Sequence, residues 1–410
     1  MELPRLLERR RSGERPLLAA RLVIFAAFLD LFFQFPIVAP YADSLGASPT
    51  MVGVIVGMYS ATNLVGNIFA GLILDRLGRK GPLLAGLAAT AIAVTLYALA
   101  NTSGQLLAVR AVHGLAASTL ATGAFAMIGD VARAGQRAQV MGRSGAIIAF
   151  AAVLGPPLAG VLKDAIGFAA VFMTSALVML LTLAAVFWWG QETAKPSLVA
   201  KEAGRRSWSE LLTRRGLVAA YLATVGLTVG LGVLVEHVPL VLEEAGASSA
   251  RSGMAFAVYA LMAMAAMLSP LSRFSDRHGP TAPLAVGLVL IAGGLLVNGI
   301  AGGIGGITVG MGVFGLGFGL LFPSITALVT ESADHRQRGT AFGIFYALYS
   351  LGVVIGSTLA GAASDWRDEV TGLPFLIAAP VALAAAPAVL LWAPRKRGSR
   401  SQGPLPVQPD

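Results

Sequence analysis

The residues able to do chemistry in this chain are few, and they sit inside apolar runs. Asp30 interrupts AAFLDLFFQFPIVAP, residues 26–40, and Gln34 follows it one helical turn later on the same face. A carboxylate at the centre of a membrane span costs roughly 2.5 to 3.5 kcal/mol on insertion scales, so such a group needs partners or a wet cavity and marks a functional site. Arg110 and His113 fall in a second apolar run, RAVHGLAAS, residues 110–118, where they share a face with Ala117 at spacings of three and four. An arginine keeps its charge at neutral pH and carries no proton itself, but it sets the protonation of a carboxylate beside it. Glu236 and His237 lie in a third run. Burial penalises the charged form of an acid, so a carboxyl in such a place can hold a proton at neutral pH and release it to either side, or yield it to a cation. Asp30, Gln34, Arg110, His113, Glu236 and His237 are therefore the candidate proton-coupling and substrate residues. Tyr259, with Met262, Met264 and Met267 nearby, and Tyr346 and Tyr349 are candidate cavity walls for a lipophilic substrate.

Other chemistries lack their residues. The chain has no cysteine, which excludes disulfides, thiol catalysis and Cys-ligated zinc. It contains no HExxH helix, no Gly-rich loop followed by Lys-Ser/Thr and no Ser-His-Asp arrangement. The expectation is a protein that is not an enzyme and that needs no cofactor or metal.

The elements that must hold these residues are membrane helices. Of 410 residues, 56% are hydrophobic and 12% charged, about half the charge of a soluble domain. Apolar runs occur at roughly 19–42, 50–73, 81–101, 105–131, 139–162, 167–190, 216–242, 251–272, 281–301, 304–330, 339–361 and 372–393, each long enough to cross a bilayer. The first is too long for the core of a signal sequence and has no small-residue cleavage site, so it reads as a retained span. The net charge of +9 comes from basic residues in short connections, which act as topology signals and lipid contacts rather than as a nucleic-acid surface. Only Lys163, Arg251 and Arg367 lie on the other side, so both termini are expected in the cytoplasm and the protein in the cell (inner) membrane. Asp30 is about 12 residues from the outer end of the first run, roughly 18 Å deep, near the middle of a core about 30 Å thick. Arg110 and Glu236 lie at comparable levels, and a contact between them is predicted.

The chain also repeats. A shift of about 201 places Asp75-Arg76 on Asp276-Arg277, Asp130 on Glu331, Gly155 on Gly356, Gly160 on Gly361 and Asp164 on Asp365. The expected organisation is a six-helix bundle over residues 1–190, a cytoplasmic linker over 191–215, a second six-helix bundle over 216–393 and a cytoplasmic tail over 394–410. Two parallel repeats place a substrate site between them near the midplane, as a rocking secondary transporter requires.

Five stretches carry a resemblance to a known family. GLILDRLGRK, residues 71–80, resembles the signature between helices 2 and 3 of the major facilitator superfamily, and SRFSDRHGP, residues 272–280, resembles a degenerate second copy. RAVHGLAAS resembles the RxxQG motif of the fourth helix, with His113 where glutamine is usual. LGPPLAG, residues 154–160, resembles the GPxxGG antiporter signature through Gly155, Pro156 and Gly160, with Ala159 at the first of its two final glycines. The first run, with Asp30 followed by Pro36 and Pro40, is similar to helix 1 of the twelve-span drug:proton antiporters and the vesicular monoamine transporters. The resemblance implies an all-α membrane protein of twelve transmembrane helices, two six-helix bundles related by a pseudo-two-fold axis. It implies proton-coupled efflux of hydrophobic or cationic small molecules by a monomer in contact with lipid, with Asp30 as the coupling acid and Arg110 as its modulator. It also implies a gating set of Gly71, Asp75, Arg76, Gly78, Arg79, Asp130, Asp276, Arg277 and Glu331, in which Asp75 and Arg76 reach Asp130. Export of a sugar, amino acid or other metabolite, or lipid handling, is the alternative.

Overall fold

A computed structural model describes residues 2–131, 137–193, 208–269, 281–334, 337–367 and 371–392, and among these there is no strand. The first half comprises α1 (Glu2–Phe33), α2 (Val38–Ser44), α3 (Pro49–Leu77), α4 (Lys80–Tyr97), α5 (Ser103–Val131), α6 (Arg137–Ile166) and α7 (Phe168–Trp189). After the short α8 (Trp208–Thr213), the second half comprises α9 (Arg215–Glu244), α10 (Ser249–Leu268), α11 (Thr281–Ile300), α12 (Gly303–Ser332), α13 (Arg338–Arg367) and α14 (Leu373–Trp392). Twelve of these are long and apolar enough to cross a membrane, the first over Arg15–Phe33. The second signature copy, with Asp276 and Arg277, lies outside the described residues, as do most of the expected linker and the tail.

The first span differs from a single run over 19–42. It stops at Phe33, turns through residues 34–37 and resumes as α2. Pro36 has no N–H to give to the carbonyl four residues earlier, and its ring crowds that carbonyl. The chain there closes i→i−3 bonds instead, from Gln34 to Leu31 and from Phe35 to Phe32, each 3.3 Å, and from Ile37 to Gln34 at 3.1 Å. Asp30 thus sits in the last helical turn before a break, and the turn places the Gln34 side chain against it.

The halves meet at the end of the molecule away from the basic loops, here the far end. A Cβ at Gly53 on α3 would collide with the carbonyl of Ser357 on α13, and one at Gly361 with the carbonyl of Pro49. The same holds for Gly160 on α6 against Ser249, and for Gly253 on α10 against Pro156. Glycine lets these backbones touch. Two carboxylates lock the seams. Asp164 accepts the backbone N–H groups of Ser249 (3.0 Å) and Ala250 (2.8 Å) at the start of α10. Its repeat partner Asp365 accepts that of Thr50 (3.1 Å) and its hydroxyl at the start of α3.

The basic end is different. Gly71, Gly145 and Gly343, on α3, α6 and α13, have nothing within 4 Å of where a Cβ would stand. Charge clusters there stay on one side of the divide: Arg79 with Asp75 (2.8 Å) and Asp130 (3.1 Å), and Arg214 with Asp334 (3.1 Å) and Glu210 (3.3 Å). Among the described residues, the two bundles touch backbone to backbone at the far end and show no such contact at the basic end.

Candidate functional site

Four of the six predicted residues converge in the first bundle. Asp30 and Gln34 come from the end of α1, and Arg110 and His113 from one face of α5, three residues apart. Asp30 is 2% exposed and His113 0%, so in this state the site is shut off from water. Three groups surround the Asp30 carboxyl: Ser175 of α7 donates to Oδ1 at 2.6 Å, Gln34 Nε2 donates to it at 3.2 Å, and His113 Nε2 stands 3.0 Å from Oδ2. Arg110 does not touch Asp30. Its guanidinium is clamped by the carbonyls of Ile55 (3.0 Å) and Val56 (2.8 Å) on α3, lies 5.2 Å from the centre of the Tyr59 ring, and donates through Nη1 to Gln34 Oε1 and, at 3.4 Å, to the Tyr97 hydroxyl.

An arginine can only donate, and that fixes the direction of every bond beyond it. Gln34 accepts at its oxygen, so its amide N–H groups face Asp30 and, at 3.4 Å, His113 Nδ1. Tyr97 accepts from Arg110, so its single proton points to the same Nδ1, 3.1 Å away. With Nδ1 an acceptor, the ring proton of a neutral His113 is on Nε2, toward Asp30. Two relays therefore run from one guanidinium: one ends in the hydrogen bond from Gln34 Nε2 to Asp30 Oδ1, the other at His113 Nε2, which stands 3.0 Å from Oδ2 with no hydrogen bond aligned between them. Tyr97 is held in turn by Tyr41, whose hydroxyl donates to the Tyr97 and Ala100 carbonyls at 2.8 and 2.9 Å.

Glu236 and His237 are not part of this cluster. Both are fully buried on α9, with His237 Nδ1 3.4 Å from Glu236 Oε2 and His237 Nε2 donating to the Thr371 carbonyl at 2.6 Å. The predicted Arg110–Glu236 contact is absent among the described residues: helix α3 and the α1 break claim the guanidinium first. Tyr259, Tyr346 and Tyr349 do share one aromatic cluster. Tyr259 lies 5.9 Å from Phe314 and 5.6 Å from Phe318, while Phe345 lies 4.8 Å from Tyr346 and 6.4 Å from Tyr349. Tyr346 is 54% exposed, so this wall is open on one side.

At the basic end the gating residues are rearranged relative to the sequence reading. Arg79, not Arg76, bridges Asp75 and Asp130, because the turn at Gly78 after the end of α3 brings Arg79 back over Asp75, while Arg76 is exposed. Gly78 has φ +85°, and a Cβ there would stand 2.6 Å from Glu192 Oε2. Glu192 in turn accepts the backbone N–H groups of Arg79 (2.7 Å) and Lys80 (3.0 Å), closing the start of α4. Gly71, placed by the resemblance in the gating set, faces open space, and Glu331 is exposed. The antiporter signature lies at the far seam: a Cβ at Gly155 would stand 3.0 Å from Phe32 Cβ on α1, and Pro156 and Gly160 abut α10. Pro156 and Pro157 lie inside α6 without dividing it. Tyr97, Ser175, Tyr59 and Glu192 are residues the sequence reading missed. Only the i, i+3 and i+4 faces of their helices hint at them.

The description Major Facilitator Superfamily matches residues 22–246 and 237–407. The chain is 26% identical over 350 residues to the inner membrane transport protein YajR of Escherichia coli (strain K12), covering 83% of this chain and 75% of that one. It is 23% identical over 382 residues to the quinolone resistance protein NorA of Staphylococcus aureus (strain MSSA476), covering 90% and 94%. Among solved structures, a peptide transporter POT in complex with sulfate superposes with a TM-score of 0.78 at 14% identity, covering 93% and 94%. A bacterial homologue of the human lysosomal transporter Spinster, inward-facing and unoccupied, gives 0.74 at 15% identity, covering 93% and 95%. At such identities the likeness to solved structures is one of fold.

Proposed function

Since the chain belongs to the major facilitator superfamily and its relatives are transporters, we propose that it exports hydrophobic or cationic small molecules in exchange for protons, by alternating access. The observation that carries this reading is the Asp30 carboxyl, buried within the first apolar span and surrounded by Ser175, Gln34 and His113, with Arg110 directing Gln34. The ionised state matches the donors around it. Protonation conflicts with the His113 N–H and loosens the link between α1, α5 and α7, so proton occupancy and helix arrangement are coupled. A cation approaching Asp30 competes with the proton for one negative charge, which is the exchange an antiporter needs.

The aromatic wall of Tyr259, Tyr346 and Tyr349 favours a lipophilic substrate, and the name of the relative NorA points the same way. In this reading, residues 1–190 and 216–393 rock as two bodies, the far end opens outward, and both termini are cytoplasmic in the cell membrane of a monomeric protein. The basic-end parting is then the inward-open state. The test is transport in proteoliposomes of a fluorescent lipophilic cation driven by a pH gradient. Wild type moves the cation, and Asp30→Asn abolishes gradient-driven movement. If Asp30→Asn transports as wild type and keeps its pH dependence, Asp30 is not the coupling acid. If wild type ignores the cation but responds to a sugar or amino acid, the substrate class is wrong.

A further inference from the structure

The middle of α3 carries polar groups that the Asp30 cluster does not use. Asn63 is the central residue of the Pro49–Leu77 span, and Asn67 follows it by one turn. Asn63 is half-buried and Asn67 exposed. An amide open at that depth is costly against hydrocarbon and belongs on a wet or ligand-filled path. The direction of these side chains agrees. Val65, Phe69 and Leu72, all exposed, make the apolar face that α3 turns to lipid. Asn63 and Asn67 lie on the opposite face, continuing the line of Val56 and Tyr59 beside Arg110. That line runs from mid-span toward the basic end, where the bundles show no backbone contact.

The amides are tied to α5 in one direction. The Gly114 carbonyl can only accept, so Asn63 turns Nδ2 to it at 3.1 Å. Asn63 Oδ1 is left to accept from Asn67 Nδ2 at 2.8 Å, and Asn67 Oδ1 accepts from the Thr122 hydroxyl at 3.0 Å. Each amide thereby uses one N–H and one oxygen lone pair, and keeps one of each. Packing does not require this ladder. In the second bundle α10 meets α12 as α3 meets α5, with Gly315 against the Tyr259 carbonyl as Gly114 is against that of Tyr59, and the matching places hold Ala263, Met267 and Pro323. Helix α13 runs antiparallel to α3, with Val354 against Gly57, which sets the amides about level with Tyr346, itself exposed.

We propose that Asn63, Asn67 and Thr122 form a hydrogen-bonding subsite on the export path, which takes the polar edge of an aromatic cation, an amine, hydroxyl or carbonyl, while its ring system lies against Tyr346. The spare N–H and C=O groups of the two amides serve a donor or an acceptor, and the phenol supplies an aromatic face. The subsite rests on the export reading and narrows its substrate class: a cation with a hydrogen-bonding edge is held in preference to one of the same shape without it.

Equilibrium dialysis of the full chain in lipid nanodiscs, corrected for empty discs, tests this with a matched pair of dyes: ethidium, which carries aromatic amines, and the phenanthridinium of the same ring system and charge that lacks them. Wild type holds ethidium about fivefold more tightly than the analogue. In Asn67→Leu and in Thr122→Val that ratio falls to about one. Asn67 is exposed, so its variant folds and keeps the test valid if Thr122→Val does not. Equal affinity for the two dyes in wild type, or a wild-type ratio in both variants, overturns the subsite and leaves cation export standing. Binding of neither dye by wild type overturns the export reading, and the subsite with it.

Discussion

Replacing Asp164 and Asp365 with alanine should open the far end. Each carboxylate closes the first turn of a helix in the opposite bundle, where backbone N–H groups lack partners and the helix dipole favours negative charge. A hydrogen bond to a charged group is worth about 1.5 to 3 kcal/mol when sheltered, and a carboxylate at an exposed helix start about 0.3 to 1 kcal/mol. The Asp164 side chain is 28% exposed and Asp365 more so, which places each latch near ~1 kcal/mol after screening. The two act on different helix pairs and should add, so the double variant loses about 2 kcal/mol and the closed-to-open ratio falls by about 30-fold. The chain has no cysteine, so Gly104→Cys, in the first turn of α5, and Ala245→Cys, in the connection after α9, give a unique pair of spin labels at the far end of the two halves. Electron–electron distance measurements should show a short population in the parent and a longer one growing stepwise with one and two alanines. An unchanged distance distribution in the double variant would refute the idea that these carboxylates hold the far end shut.

Gly253→Val sets a side chain against the Pro156 carbonyl, across a seam where even a Cβ does not fit; the same spin labels should report an open far end, and transport should fall by at least about tenfold. Gln34→Leu removes the acceptor of Arg110 Nη1 and a donor to Asp30. Buried groups left unpaired cost about 1 to 3 kcal/mol, so the variant should unfold at lower temperature than wild type and lose pH-gradient coupling. Arg79→Gln should lower thermal stability by about 1 kcal/mol by breaking the bridge to Asp75 and Asp130, while Arg76→Gln stays within about 0.5 kcal/mol of wild type. Equal effects would contradict the assignment of the bridge to Arg79.

Twelve spans, their repeat and the four residues at the heart of the site were legible because each leaves a one-dimensional signal. Apolar runs of about 20 residues mark spans, and an acid or arginine inside one stands out by its cost. Tyr97 and Ser175 left no such mark. A tyrosine or serine in a span costs little and has many bland uses, and only three dimensions reveal that α4 and α7 bring them to His113 and Asp30. The exchange of Arg76 for Arg79 failed for a different reason. The motif fixes which residues are present, but which of two arginines reaches Asp130 depends on the turn at Gly78, and hence on Glu192, more than a hundred residues away. The break after Phe33 was written in Pro36, and a hydropathy run is blind to it.

The repeat that makes the far seams symmetric does not extend to the chemistry. Asp164 and Asp365 are repeat partners and do the same work at α10 and α3, and Gly160 and Gly361 touch carbonyls in matching places. Under the same shift Arg110 falls on Met311, His113 on Phe314 and Tyr97 on Asn298, while Asp30 falls on Gly230 or Leu231. A Cβ at Gly230 would stand 3.0 Å from the Phe314 ring. Where the first bundle sets a carboxylate against an imidazole, the second sets a glycine against a phenyl ring. A rocking motion needs both bundles to present equal seams, because each must close against the other. A proton site needs the opposite: one buried charge with one set of donors, since a second identical site would double the desolvation cost of every cycle. In the proposed reading the second bundle lines the substrate path with Tyr259, Tyr346 and Tyr349, and its own buried acid, Glu236, stands 3.4 Å from its sequence neighbour His237 rather than against the first bundle. In the state described here, two routes link the Asp30 cluster to the second bundle: α1, whose Asp30 faces His113 and whose Phe35, five residues on, lies 5.5 Å from Phe256 of α10, and α3, whose Ile55 and Val56 carbonyls hold Arg110 and whose Gly53 abuts Ser357 of α13.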